Sequence, residues 1–223
     1  MSVNLFKRFT YFFTSDSTIL SDEFKPEIFK QLKSSEGIKE LNVYQKDNNY
    51  FMVADVDVSF NSEKIVDTLT LLINSEDFNS ILPIHNEALE RIYKLDQKAI
   101  YSAVEGQLKD DIGEKKRFVW TLLLEPDLIE EYKSVHGINM AWPEITANMK
   151  TVGVKDMEIY IHGEQVMLIM DSIPDFDLDE VGPKWQKLPR EEEWQAYVAK
   201  FQKTDTESAI QEKWQDMKNI SSN

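Results

Sequence analysis

GVKDMEIYIHGEQVMLIMD, residues 153–171, decides how this chain reads. Short apolar runs flank His162-Gly163-Glu164. That pattern predicts two strands joined by a tight turn, with Gly163 supplying the turn geometry. The same plan occurs once earlier. GIKELNVYQKDNNYFMVAD, residues 37–55, aligns with it without a gap: Gly37 falls on Gly153, Lys39 on Lys155, Tyr44 on Tyr160 and Asp55 on Asp171. Leu41, Val43 and Val53 fall on Met157, Ile159 and Ile169. Upstream, Lys-Arg-Phe recurs at Lys7 and Lys116. Strand, Pro-Glu helix, glycine and two strands follow in the same order in both halves, which predicts an internal duplication.

Working outward, RFVWTLLL (117–124) is short, aromatic and β-rich, and predicts a buried strand. Pro126 suits the first turn of a helix through DLIEEYKSVH (127–136), with Gly137 in the left-handed cap position. Pro143 opens a second helix that Gly153 ends. REEEWQAYVAKFQK (190–203) predicts a helix with Trp194, Tyr197, Val198 and Phe201 on one face, and EKWQDMKNI (212–220) closes the sheet. In the first half, EFKPEIFKQL (23–32) is the Pro-Glu helix, the hairpin turns at KDNN (46–49), and EKIVDTLTLLI (63–73) is the second helix. Each half therefore reads β-α-β-β-α-β, the ferredoxin-like plan.

The expected fold class is α+β: tandem ferredoxin-like units forming an intramolecular pseudo-dimer of the dimeric α/β-barrel type. Residues 1–94 form the first unit, 95–115 a charged surface linker with a short helix near KAIYSAVEGQL (98–108), and 116–223 the second. A single unit leaves one sheet face bare and apolar. Two units in one chain can cover each other's sheets, so a monomer is expected.

Composition narrows the function. The 223 residues are 42% apolar and include no cysteine, which removes disulfides and thiolate chemistry and fits a reducing compartment. The net charge of -15 repels phosphate backbones, so no nucleic-acid partner is expected. No run approaches the roughly 20 apolar residues that span a bilayer. The start, MSVNLFKRFTYFFTSDS, is interrupted by Lys7 and Arg8 and reads as a first strand. A cytoplasmic protein with no membrane partner is expected. The seven glycines are isolated, so no phosphate loop is present, and no G-x-S-x-G elbow occurs. The three histidines lack metal-ligand spacing, so neither metal nor cofactor is expected.

One stretch carries groups that its counterpart lacks. EYKSVHGINMAWPE (131–144) places Tyr132 and His136 at i, i+4 on one helix face, followed by Trp142. A histidine there can give and take protons near neutral pH, and the helix C-terminus raises its pKa, predicting titration near or above about 6.5 at a solvent-reachable helix end. Aromatic rings beside an acid/base group suit a sugar. On spacing alone, the same residues also read as an ordinary helix-end histidine beside a half-buried tyrosine. His85 reads as a loop residue and His162 as part of the hairpin turn.

LIEEYKSVHGINMAWPEI, GVKDMEIYIHGEQVMLIMD, EEWQAYVAKFQ and EKWQDM together, from about Lys116 to Ile220, resemble the L-rhamnose mutarotase family, and within it the branch assigned to L-fucose. In order, they are similar to the family's Tyr-x-x-x-His with Trp-Pro-Glu, its Asp-Met-Glu-Ile-Tyr strand, its Trp-bearing helix and its closing strand. The resemblance implies a ferredoxin-like α+β unit, usually homodimeric, that interconverts the α and β anomers of a 6-deoxy-L-hexose without metal or cofactor. It implies that His136 is the proton donor and that Tyr132 and Trp194 bind substrate. A second tryptophan of the rhamnose type is Gln195 here, and a strand tyrosine is Met157; both departures look like the fucose branch. On this reading Trp142, Tyr160, Trp194 and Trp214 line the pocket, together with Met157 and Gln195, around catalytic His136 and Tyr132. The first half is a degenerate copy: Phe9 to Pro26 spans 17 steps, against 25 from Phe118 to Pro143, and the missing stretch is the one holding Tyr132 and His136. Three rivals stay open: an L-rhamnose mutarotase, a non-catalytic sugar-binding or regulatory protein, and a haem-ligating or other enzyme on a dimeric α/β-barrel.

Overall fold

A computed structural model describes residues 4–14, 30, 33–72, 87–203 and 214–221. The chain forms two compact units that do not follow the halves of the sequence. One comprises Met1–Glu90, Tyr101–Asp111 and Met217–Asn223; the other comprises Arg91–Ile100 and Ile112–Asp216.

The sheet of the first unit uses β1 (Leu5–Thr14), β2 (Ile38–Lys46), β3 (Asn49–Val56), β5 (Gln107–Asp110) and β10 (Lys218–Asn219), in the order β10-β2-β3-β1-β5. Its β2–β3 hairpin turns over Asp47 and Asn48, as KDNN implies, with Asp47 at φ 52°. Phe9, Tyr11 and Phe13 of β1 alternate into a core with Leu41, Val43, Met52 and Phe60. Helix α1 (Ser62–Leu72) follows, its first turn capped by Asn61 Oδ1 accepting the Lys64 N–H at 2.9 Å.

In the second unit, β4 (Glu90–Lys94), β6 (Lys116–Leu123), β7 (Val154–His162), β8 (Gln165–Ser172) and β9 (Gln215–Asp216) run β4-β7-β8-β6-β9. Helices α2 (Ile129–Val135), α3 (Pro143–Thr151), α4 (Leu178–Trp185) and α5 (Glu191–Ala199) complete it. Gly153 takes φ 101° at the end of α3, where an added Cβ would lie 2.9 Å from Ile173 Cδ1. Gly163 takes φ 57° in the hairpin turn. Among the described residues no helix is long and apolar enough to cross a membrane.

Several contacts of the first unit have counterparts in the second. Arg8 forks onto Asp55 at 2.6 and 2.7 Å, and Arg117 onto Asp171 at 2.7 and 2.9 Å. Lys7 Nζ donates to the Phe60 carbonyl and Lys116 Nζ to the Phe176 carbonyl. The Asp57 N–H bonds Gly37 O as Ile173 N–H bonds Gly153 O. Register shifts fall between Ile38 and Glu40 and between Val154 and Asp156. Asp177 caps α4 through the Asp179 and Glu180 N–H groups, as Asn61 caps α1.

Several expectations change. Residues 95–115 are more than a linker: β5 pairs with β1, and the short helix is a three-residue 3-10 turn at Ala103–Glu105. The closing segment divides. Its β9 pairs with β6, while β10 pairs with β2 of the other unit's sheet, because a chain can leave one sheet edge and satisfy another's open hydrogen bonds. Gly137 is not left-handed; α2 tightens into i→i-3 bonds there, and the left-handed residue is Asn139 at φ 61°. Helix α4 is unforeseen, since Gly182 and Pro183 argue against it; the Asp177 cap and packing of Trp185 sustain it. Helix α5 stops at Ala199, and Phe201 packs from the following turn. The Pro26-Glu27 helix and the shortened connection that precedes it lie outside the described residues, apart from Lys30.

A third buried pair holds β4. Arg91 Nη1 lies 2.8 Å from Glu158 Oε1, with side chains 2% and 1% exposed. Removing one member strands a buried charge, a loss of about 3–5 kcal/mol. Glu158→Ala should therefore lower unfolding free energy by about that amount in denaturant titration. A loss below about 1 kcal/mol would show that the pair does not hold β4 in place.

Candidate active site

A cavity of about 1020 Å³ opens in the second unit. Its floor is the helix-side face of the sheet: Trp120 and Leu122 from β6, Met157 and Ile159 from β7, Leu168 and Met170 from β8. These are alternate residues, as the pleat requires. The walls come from α2, α3, α4 and α5, and Trp214 and Tyr93 also line the cavity.

His136 is the C-cap of α2 and is 6% exposed. As the helix tightens, its backbone N–H bonds Lys133 O. Its Nδ1 lies 2.8 Å from the Tyr132 carbonyl oxygen. A carbonyl only accepts, so Nδ1 carries the proton and Nε2 keeps the lone pair of the neutral ring. Aromatic rings enclose the imidazole: Tyr132 at 4.2 Å between centroids, Tyr93 at 5.9 Å and Trp194 at 5.9 Å. Burial pushes the imidazole down to about 4, only partly offset by the hydrogen bond to the Tyr132 carbonyl. This overturns the expected upward shift and the solvent-reachable helix end: desolvation outweighs the helix dipole. The Tyr132 hydroxyl is also raised by burial and stays protonated near neutral pH.

Of the residues nominated from sequence, Tyr132, His136, Met157, Trp194, Gln195 and Trp214 line one cavity. Two do not. Tyr160 is fully buried on the other face of β7, because strand parity places it opposite Met157 and Ile159. Trp142, at the N-cap of α3, packs behind the wall. Its ring meets Trp194 at 5.3 Å and Tyr197 at 5.9 Å, with the Arg190 guanidinium 4.0 Å over it. His162 ends β7 opposite Gln165 and is exposed rather than sitting in the turn, and His85 lies outside the described residues.

Other lining residues were not legible. Tyr93 comes from the first half of the sequence, and nothing in ERIYK announces that this strand joins the sheet of the second unit. Burial pushes its hydroxyl up to about 12, against a hydrogen bond to Thr146. Glu191 opens a run of three glutamates that reads as ordinary acidic helix-start chemistry, yet it is 3% exposed and faces this cavity. Among the described residues no three His, Cys, Asp or Glu side chains gather as metal ligands.

Comparison with known proteins gives a family match on the same half of the chain. The family profile for L-rhamnose mutarotase matches residues 117–222. An L-fucose mutarotase of Xanthomonas campestris pv. campestris is 30% identical over 103 residues, 45% of this chain and 82% of the relative. A UPF0734 protein of Dictyostelium discoideum is 30% identical over 100 residues, 43% of this chain and 78% of the relative. Among solved structures, wild-type Phl p 4.0202, a glucose dehydrogenase, aligns over 92% of this chain and 43% of its own, at 8% identity. Its TM-score of 0.24 is too low to bear on the fold. The profile match falls largely on the unit that holds the cavity, the L-fucose mutarotase relative is covered over most of its own length, and through residues 117–222 the chain belongs to the L-rhamnose mutarotase family.

Proposed function

We propose that the chain is an aldose mutarotase acting on a 6-deoxy-L-hexose, L-fucose in preference to L-rhamnose. The observation that carries this reading is a buried, neutral histidine whose Nδ1 is held by a backbone carbonyl, leaving Nε2 for a ligand in an aromatic-walled cavity. Nε2 takes the proton of the anomeric hydroxyl as the ring oxygen takes one from the Tyr132 hydroxyl or a water. The C1–O5 bond breaks to give the aldehyde. Rotation about C1–C2 presents the other carbonyl face, and the ring closes with both protons returned. Acid–base help of about 10²–10⁴-fold is sufficient for a reaction already appreciable in water. Trp194 and Trp214 offer ring faces to the sugar's C–H surfaces, and Met157 and Gln195 stand where the resemblance places rhamnose-type residues.

We also propose that the chain is a duplicated ferredoxin-like unit paired internally as a pseudo-dimer, its first copy lacking the catalytic groups. The recurring Arg–Asp forks, lysine–carbonyl bonds, helix caps and bulges support this.

Saturation-transfer NMR on free sugars tests the activity: L-fucose anomers should exchange faster than those of L-rhamnose. His136→Asn, checked for folding by circular dichroism, should lose most of the acceleration; full rates in a folded variant would refute the site. Binding without faster exchange would favour the non-catalytic reading.

The pH dependence follows from burial of a neutral imidazole. The folded value, about 4, lies below the ordinary 6.5. Exchange should stay flat from about pH 8 to about pH 5 and fall as the pH drops through about 4. Between those two values the unfolded chain binds a proton that the folded chain does not. The stability from this group is thus complete above about 6.5 and falls by roughly 3 kcal/mol as the pH approaches 4. The difference between wild-type and His136→Asn unfolding curves isolates it. A rate that halves near pH 6.5 would show a solvated histidine instead.

The pseudo-dimer reading predicts a monomer by light scattering at low micromolar concentration. A tight dimer there would count against internal pairing.

A further inference from the structure

Glu191 is a carboxylate held on one side only. Its Oε1 accepts from Asn148 Nδ2 and from Trp185 Nε1, both at 2.9 Å. Among the described residues no donor reaches Oε2. The residue is 3% exposed and lines the cavity, whose surface is otherwise mostly aromatic and aliphatic. It begins α5 one turn before Trp194, whose ring packs against His136. Two fixed N–H donors set the orientation of the carboxylate. A buried acceptor oxygen without a donor among the described residues asks for a hydroxyl, because an apolar ligand group would leave it unsatisfied.

We propose that Glu191 Oε2 is the subsite that accepts a hydrogen bond from a non-anomeric ring hydroxyl of the sugar, and so selects substrates by that hydroxyl. The inference rests on the reading above that a sugar occupies this cavity with its anomeric centre at His136. It assigns Glu191 to recognition and leaves proton transfer to the histidine. Asn148 and Trp185 act through it as positioning residues.

The test measures L-fucose dissociation constants by NMR titration of the full chain, beside exchange rates, for wild type, Glu191→Gln and Trp185→Phe. Glu191→Gln should weaken binding by about tenfold or more, with the exchange rate at saturation changed little. Trp185→Phe, which keeps a ring but removes one N–H, should weaken it in the same direction by less. One of 2-, 3- or 4-deoxy-L-fucose should bind wild type about as weakly as L-fucose binds Glu191→Gln, and should lose nothing further in that variant. A folded Glu191→Gln that binds L-fucose as wild type does overturns the proposal. If that variant does not fold, unchanged binding by Trp185→Phe overturns it. Wild type that binds without accelerating exchange removes the mutarotase reading and leaves this subsite standing. Wild type that binds no sugar removes both.

Discussion

The register of each sheet is tied to a buried arginine forked onto an aspartate of the neighbouring strand. Arg8 and Arg117 sit directly opposite Asp55 and Asp171 across neighbouring strands, and each fork is closed by two short hydrogen bonds. A guanidinium this buried is tolerable only beside its carboxylate. Sliding β8 by one residue along β6 would part the pair and turn Leu168 and Met170 away from the cavity. The fork therefore sets more than local stability. It decides which residues of three strands form the floor on which a ligand can rest.

The same logic of burial sets the chemistry. Placed at a helix end in water, a histidine would gain from the dipole and titrate in the ordinary range or above it. Enclosed by Tyr93, Tyr132 and Trp194, His136 loses its hydration, and the neutral ring wins. The tightened end of α2 brings the Tyr132 carbonyl within 2.8 Å of Nδ1, which orients the ring and selects its tautomer. Helix geometry and aromatic packing together give an oriented, neutral imidazole, something neither would give alone.

The path of the chain adds a further constraint. β4 belongs to the first half in sequence and to the second unit in space, and Arg91–Glu158 secures it at the edge of β7. Tyr93 rides on that strand and meets the imidazole edge-on. A piece containing only residues 116–223 would lack this wall. The first half thus contributes matter to the site as well as a second sheet, even though Tyr132 and His136 lie in the second half.

Much of this was legible locally. The glycines at 37, 153 and 163, the two hairpins, the Lys-Arg-Phe strands and the pairing of Tyr132 with His136 on one helix end follow from period, turn chemistry and spacing, which act over a few residues. The motifs also carried the family. What depends on contacts between distant residues was not legible. Strand parity removed Tyr160 from the cavity, α4 formed despite Gly182 and Pro183, and β4 and β10 changed sheets. The sign of the His136 shift reversed for the same reason: a residue's pKa answers to what surrounds it in space, and Tyr93 stands 43 positions away along the chain. The sequence by itself determined most of the elements and the placing of Tyr132 and His136 on one helix end. Only the tertiary structure decided which faces met, how dry the histidine became, and that Glu191, an unremarked acid at a helix start, points into the cavity beside it.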